Sequence, residues 1–384
     1  MVNIDTGKFY KIKNVAFNKV LATSDGNTNN VFVYTDLGSN DQQWAFFKLD
    51  DQSYRIVNKA NGQTLATTAP ENNVFVYKHL PSQDQHWTTM DKQGHVKFKN
   101  LNNYLVLASE SHKGNVFVYN EIDSAQDQLW DMTPVDSLVM PTLPTDFKKL
   151  GPSPTYSSPN DVFPKDDTRV LVGATLIPYF MVNDGNISQG KLVQDNPYYV
   201  MEHYQNWHLL DEKTLAPGGE ETLTLHTGIR ETDQTTITQK SGITIAADAG
   251  FNFPIVPAGR ADGPFPTVTG DLKSTITNEL DVAQSHTSEK MQDTTEIQSV
   301  RNPFQEQLQY AKFAIKDTYI LKRVDGTQVY EVSAIDTTSI KGASYPNGKE
   351  PVSSSRRVVN SRYEVSNPNQ KNCECTIKCN CNSN

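Results

Sequence analysis

Val31-Phe32-Val33-Tyr34 returns as Val74-Phe75-Val76-Tyr77 and again as Val116-Phe117-Val118-Tyr119. Each copy is followed by an Asp-Gln-x-Trp: Asp41-Gln42-Gln43-Trp44, Asp84-Gln85-His86-Trp87 and Asp127-Gln128-Leu129-Trp130. Upstream, Leu21-Ala22-Thr23 matches Leu65-Ala66-Thr67 and, loosely, Leu107-Ala108-Ser109. The period is about 43 residues, the length of one short-strand unit. One such unit cannot bury its own apolar face, whereas three together can. The segments between motifs are rich in Asn, Asp, Gly and Ser, which suit tight turns. Residues 1–135 are therefore expected to close into a threefold β structure, with the three tryptophans sharing a core. The glutamine two places ahead of each tryptophan is positioned to bond backbone and hold its turn.

The threefold Gln-x-Trp pattern resembles the ricin-B-type β-trefoil lectins over about residues 5–134. The resemblance implies a carbohydrate-binding head with one shallow sugar site per repeat. It places aromatic platforms at Tyr34, Tyr77 and Tyr119, and polar partners at Asp41, Asp84 and Asp127 with Gln42, Gln85 and Gln128 beside them. A ring face stacks on the C–H face of a galactose-type sugar while fixed polar groups read its hydroxyls. The early aspartate of that family aligns here with Thr23, Thr67 and Ser109, whose hydroxyls are weaker acceptors. The same tyrosines and aspartates equally suit packing and turn capping.

The whole chain has 384 residues, about two domains' worth. Lys and Arg number 35 against 44 Asp and Glu, for a net charge of −9. That acidic balance disfavours nucleic acid, which needs a basic patch. It also removes charge attraction to anionic lipid. Met1-Val2-Asn3-Ile4-Asp5 lacks the basic region and apolar run of a secretory signal, so export by that route is not expected. The longest apolar stretch, Val170 to Val182, is shorter than a membrane-spanning helix. Cysteines appear only as Cys373, Cys375, Cys379 and Cys381. The C-x-C-x3-C-x-C tail suits either disulfides or a thiolate metal site, although the one-residue spacing is short for structural zinc. No metal and no cofactor are expected in the folded domains.

Seven prolines from Pro134 to Pro164 mark a linker over 136–168. From 169 to about 350, alternating apolar and Thr/Ser positions predict long β-strands, so the chain reads as all-β. One stretch alternates strictly: Ile243, Ile245, Ala247, Ala249, Phe251, Phe253 and Ile255 share one face. After a Pro/Gly-rich turn it resumes with Val268, Gly270, Leu272, Ser274, Ile276, Asn278, Leu280 and Val282. Each arm is long enough for a membrane-spanning strand. One hairpin cannot span alone, because its edges would stay unpaired in lipid, so that reading requires a closed oligomer. An ordinary half-buried hairpin has the same period. The Thr/Ser-rich flanks, Thr222 to Thr244 and Thr267 to Ser299, make the arrangement similar to aerolysin-type β-pore-forming toxins.

Val172-Gly173-Ala174-Thr175-Leu176-Ile177-Pro178 through Met181-Val182-Asn183-Asp184 is similar to motifs of the Bin-type (Toxin_10) crystal proteins of Bacillus and Lysinibacillus. So is Asn196-Pro197-Tyr198-Tyr199 followed by His203-Tyr204-Gln205-Asn206-Trp207. This second resemblance, over about 140–350, implies an N-terminal trefoil followed by an elongated aerolysin-type β-sheet domain. It implies an insecticidal toxin laid down as a parasporal crystal during sporulation, then acting extracellularly at the gut cell membrane. The implied partners are galactose-type glycans or glycolipids, a homo-oligomer in the pore with a homodimer before it, and in some members a second toxin component. The alternative is a defensive or storage lectin that makes no pore. At alkaline gut pH the 16 tyrosines would begin to ionise and raise self-repulsion. Residues 351–384 read as a flexible, protease-accessible tail, with trimming near Arg356 and Arg357. Nucleophile, P-loop and zinc-protease motifs are missing. His203 and His208 have no evident nucleophile partner, so no enzyme is expected.

Overall fold

The computed structural model describes residues 4–24, 29–49, 51–68, 71–80, 82–110, 114–185, 187–228, 243–245 and 294–360. Among the described residues the chain is all-β apart from one short helix, Gln189–Asp195, and a few single turns.

The N-terminal unit is a β-trefoil. Strands Lys8–Asn14, Trp44–Lys48, Tyr54–Asn58, Trp87–Lys92, His95–Asn100 and Trp130–Ser137 pair antiparallel in a closed ring. A Val-Phe-Val-Tyr strand closes a hairpin in each repeat: Val31–Tyr34 on Val20–Thr23, Val74–Tyr77 on Thr64–Thr67, and Val116–Tyr119 on Val106–Ser109. The hairpins interlock through Asn30–Phe75, Phe32–Asn115 and Asn73–Phe117 bridges. The turns need left-handed residues at equivalent places. Asn29, Asn72 and Gly114 have φ of 51°, 57° and 68°. Asn and Gly carry the least penalty there.

Trp44, Trp87 and Trp130 are wholly buried, as their spacing predicts. Each indole Nε1 donates to the matching leucine carbonyl: Leu21 at 2.9 Å, Leu65 at 2.9 Å and Leu107 at 3.0 Å. The polar end of each ring is thus satisfied where its body fills the core.

The second unit is built on a five-stranded sheet in the order Val170–Pro178, Tyr198–Leu215, Leu308–Lys322 and Gln328–Ile335, with Lys341–Tyr345 beside the third. The two long central strands pair from Val200 opposite Lys322 to Leu215 opposite Leu308, with a register shift at Leu209/Asp211. A second sheet has Glu220–Thr227, Thr294–Arg301 and Val352–Asn360 in that order.

Residues 138–169 cross the second unit as a strap rather than as a free linker. Leu138, Met140, Leu143 and Phe147 join a core that runs through both units. Tyr156, Leu150 and Phe163 pack with Trp207 and Phe313. Trp207 Nε1 donates to Gly151 O at 3.0 Å, and the Tyr156 hydroxyl donates to Glu212 at 2.6 Å. Proline stiffens the segment, but apolar residues set between the prolines give it a face to bury. A second correction concerns the tail. Val352–Asn360, read from sequence as the start of a flexible end, is an edge strand against Thr294–Arg301, with Arg356 bonded to Glu296 at 2.8 Å. Its Ser-rich composition hid an extended segment whose backbone finds a partner strand. The cysteine tail from 361 onward lies outside the described residues.

Candidate functional site

Each trefoil repeat builds the same outward-facing unit. Tyr34, Tyr77 and Tyr119 end their hairpin strands 52%, 37% and 46% exposed. Each ring meets the half-buried phenylalanine two residues earlier edge to face, with centroids 6.2, 6.2 and 6.5 Å apart. One face of each tyrosine is thereby propped.

The glutamines belong elsewhere. Gln42, Gln85 and Gln128 are buried, and both ends of each amide are used by backbone. Gln42 donates to Thr35 O at 2.8 Å and accepts from Leu37 N at 2.8 Å. Gln85 does the same with Lys78 O and Leu80 N, and Gln128 with Asn120 O and Ile122 N. They pin the loop behind each tyrosine, and direct contact with a sugar is ruled out by their burial. Thr23, Thr67 and Ser109 are also buried, so none supplies the missing early acid. Asp41, Asp84 and Asp127 lie half-buried in the middle of the single turns Asn40–Gln42, Gln83–Gln85 and Gln126–Gln128. Asp84 Oδ1 is shut off from solvent with no hydrogen-bond partner.

Sequence reading missed a further threefold set. Asn58, Asn100 and Asn14 donate through Nδ2 to the carbonyls of Asp41, Asp84 and Asp127 at 2.8, 2.8 and 2.7 Å. Their Oδ1 atoms meanwhile cap the turns that follow. The signal was present in the sequence, because Asn14, Asn58 and Asn100 recur at intervals of 44 and 42 residues, close to the repeat period. A third set, Lys11, Arg55 and Lys97, stands three residues earlier on the same strands. Arg55 and Lys97 are wholly buried and donate to the loop carbonyls of Leu80 and Ile122, both at 2.8 Å.

The candidate membrane hairpin is described only at its start. Ile243–Ile245 pairs antiparallel with Val182–Asp184, Thr244 opposite Asn183. Asp184 anchors that pair: Arg323 Nη2 reaches its Oδ2 at 2.6 Å and the Tyr199 hydroxyl at 2.9 Å. Phe251, Phe253, Ile255, Val268, Leu272, Ile276 and Leu280 lie outside the described residues.

His203 and His208 face carboxylates. His203 Nε2 lies 2.6 Å from Asp317 Oδ1 and its ring stacks on Tyr319. His208 Nδ1 lies 2.8 Å from Asp166 Oδ1, a strap residue also held by Asn206 and Lys316. Burial pushes His208 down, whereas the His208 and Asn206 hydrogen bonds bring Asp166 to about 2 against an opposing burial penalty. Burial also raises many tyrosines. Tyr204, Tyr310 and Tyr330 are pushed up to about 12, and Tyr156, Tyr179, Tyr198 and Tyr199 go higher. Burial thus opposes ionisation of these seven on the alkaline side, against the expectation that all 16 tyrosines begin to charge. Among the described residues no cluster of three His, Cys, Asp or Glu side chains is placed to hold a metal. No described helix is long and apolar enough to cross a membrane, which says nothing about strands.

Comparison with known proteins agrees with this architecture. Residues 170–347 match the family described as Insecticidal Crystal Toxin, P42, and residues 2–77 match the ricin-type β-trefoil lectin domain-like family. The chain is 25% identical over 362 residues to the insecticidal crystal protein Cry35Ab1 of Bacillus thuringiensis, covering 90% of this chain and 91% of the relative. It is 27% identical over 330 residues to the binary larvicide subunit BinA of Lysinibacillus sphaericus, covering 83% and 85%. The crystal structure of Cry35Ab1 superposes with a TM-score of 0.70 over 90% of this chain and 91% of that one, at 23% identity, a likeness of fold. The second unit is thus similar to the insecticidal crystal toxin P42 family over residues 170–347, and it follows an N-terminal β-trefoil similar to the ricin-type lectin domains.

Proposed function

We propose that this chain is an insecticidal pore-forming toxin whose trefoil engages galactose-type glycans or glycolipids on gut epithelium. The observation that carries the reading is the presence, in one chain, of outward tyrosines on a trefoil head and a second unit that matches the insecticidal crystal toxin family model. Bound protein oligomerises, and the alternating segment 243–282 leaves its soluble seat to close a transmembrane β-barrel with copies from its neighbours. Pairing of Ile243–Ile245 with Val182–Asp184 is the seat from which it departs. Relatives described as binary larvicide subunits favour a second toxin component. Storage as a crystal accords with the relative named an insecticidal crystal protein, and release for action at the gut is part of the same proposal. No catalytic step is assigned.

The test is dye release from vesicles with and without galactose-terminated glycolipid. A parallel sample carries Asn183→Cys and Thr244→Cys, with the four tail cysteines changed to serine. Release that needs glycolipid, stops when the new pair is oxidised and returns on reduction is the expected result. Release unaffected by oxidation overturns the hairpin role. Absence of release with insect gut membrane present favours the lectin that makes no pore.

A further inference from the structure

The threefold symmetry of the trefoil is broken at a position with chemical consequences. Each buried glutamine bridges a carbonyl and an amide two residues apart, and one residue stands between those anchors at the loop apex. That residue is Asp36 in the first repeat, His79 in the second and Glu121 in the third, always two positions beyond the exposed tyrosine. Asp36 and Glu121 are both exposed. Each sits near lysines of the strand beneath: Lys11 Nζ is 2.7 Å from Asp36, and Lys97 and Lys99 Nζ are each 3.8 Å from Glu121. The Lys11 hydrogen bond holds Asp36 below the usual carboxylate range.

His79 is used differently. Its ring stacks on Phe180 of the second unit, with centroids 4.4 Å apart and planes 27° apart. The Arg55 guanidinium lies 5.8 Å from the same phenylalanine. The second unit also touches this repeat elsewhere. The Tyr179 hydroxyl donates to Gly62 O at 2.7 Å, and Gln194 Nε2 donates to Lys59 O at 3.0 Å. A Cβ on Gly190 would sit 2.2 Å from Ala60 O. The closed-off Asp84 Oδ1 belongs to this repeat.

Building on the glycan reading above, we infer that the first and third repeats alone read sugar, with Asp36 and Glu121 accepting hydroxyl hydrogen bonds beside the Tyr34 and Tyr119 rings, while the second repeat has become the socket for the toxin domain. A carboxylate accepts from two vicinal hydroxyls and is a stronger acceptor than the neutral groups nearby. It takes the place of the acid that the buried Thr23 and Ser109 do not provide. The ligand class is a neutral galactoside with free vicinal hydroxyls. Acidic sugars are disfavoured by like charge. Two sites on different flanks of the head still allow one molecule to hold two glycolipids.

The test is calorimetric titration of the full-length protein with lactose, together with binding to phosphatidylcholine vesicles bearing lactosylceramide. Thermal unfolding of every variant checks folding. About two lactose molecules per chain are expected for two sites acting independently. Asp36→Asn with Glu121→Gln should weaken binding about tenfold or more, the usual cost of removing a charged acceptor. Lys11→Met, which removes the ion pair and keeps the acid, should retain far more affinity than Asp36→Asn. Tyr77→Ala should leave the titration unchanged. Wild-type binding with a double variant that binds equally well, or with a Tyr77→Ala that abolishes it, overturns this inference and leaves the glycan reading standing. Equal losses for Lys11→Met and Asp36→Asn would make the acid structural and overturn it as well. A wild type that binds neither probe sinks the glycan reading, and this inference with it.

Discussion

At the residue scale, the Gln-x-Trp pair is a folding device before it is a binding one. The indole fills the core and the amide, buried beside it, replaces water for two backbone groups. Gln128→Ala strands Asn120 O and Ile122 N inside the protein and should cost about 2–3 kcal/mol in urea unfolding, the usual penalty for orphaned buried groups. A surface position offers the opposite sign. Tyr104 sits in the left-handed region at φ 60°, where the matching turn of the first repeat has Asn18 at φ 54°. Tyr104 is also largely exposed, so it gains little from packing. Tyr104→Asn should stabilise by roughly 0.5–1 kcal/mol, read as a higher urea midpoint.

At the element scale, the strap 138–169 decides how the two units hold together. Its last anchor is Asp166 on the sheet edge, where Asp167 N donates to Trp207 O and Leu209 N to Lys165 O, at 2.9 and 2.8 Å. Asp166 titrates lower in the folded protein than in the unfolded chain. Its stabilising effect is therefore complete above about pH 4 and disappears as pH falls towards about 2. His208, also depressed on folding, adds to the loss as pH falls below about 6.5. The Asp166 side chain is about two-fifths exposed, so solvent screening reduces its worth to about 1 kcal/mol. Asp166→Asn should lose that amount at neutral pH and nothing near pH 2, which urea midpoints at both pH values will show. Neither group weakens the strap on the alkaline side.

At the scale of the whole molecule, one core runs across the boundary between the trefoil and the second unit. Phe47 and Val57 of the trefoil pack with Tyr179, Met181, Leu192 and Tyr198. Gly62 and Gly190 let the backbones approach there, and Gly62 also needs its φ of 68°. Gly190→Ala forces a methyl group onto the Ala60 carbonyl and should cost about 2–3 kcal/mol by overpacking. Scanning calorimetry should give one transition for the wild type and two for this variant. A single unshifted transition in the variant would show that the units are not coupled through this contact.

The sequence by itself determined the trefoil, its three buried tryptophans, its three exposed tyrosines and the all-β character of the second unit, because repeats and alternation are local patterns that burial enforces copy by copy. Tertiary structure alone decided the rest. Gln42, Gln85 and Gln128 look polar and available in the sequence, and only the closed barrel puts them inside. The proline-rich 136–168 reads as a spacer until Trp207 and Phe313 offer it a face. His79 differs from Asp36 and Glu121 by one side chain, yet its meaning depends on Phe180, which lies about a hundred residues further along the chain. Contacts between segments so far apart are set by how the two units dock, and no periodicity along the chain records them.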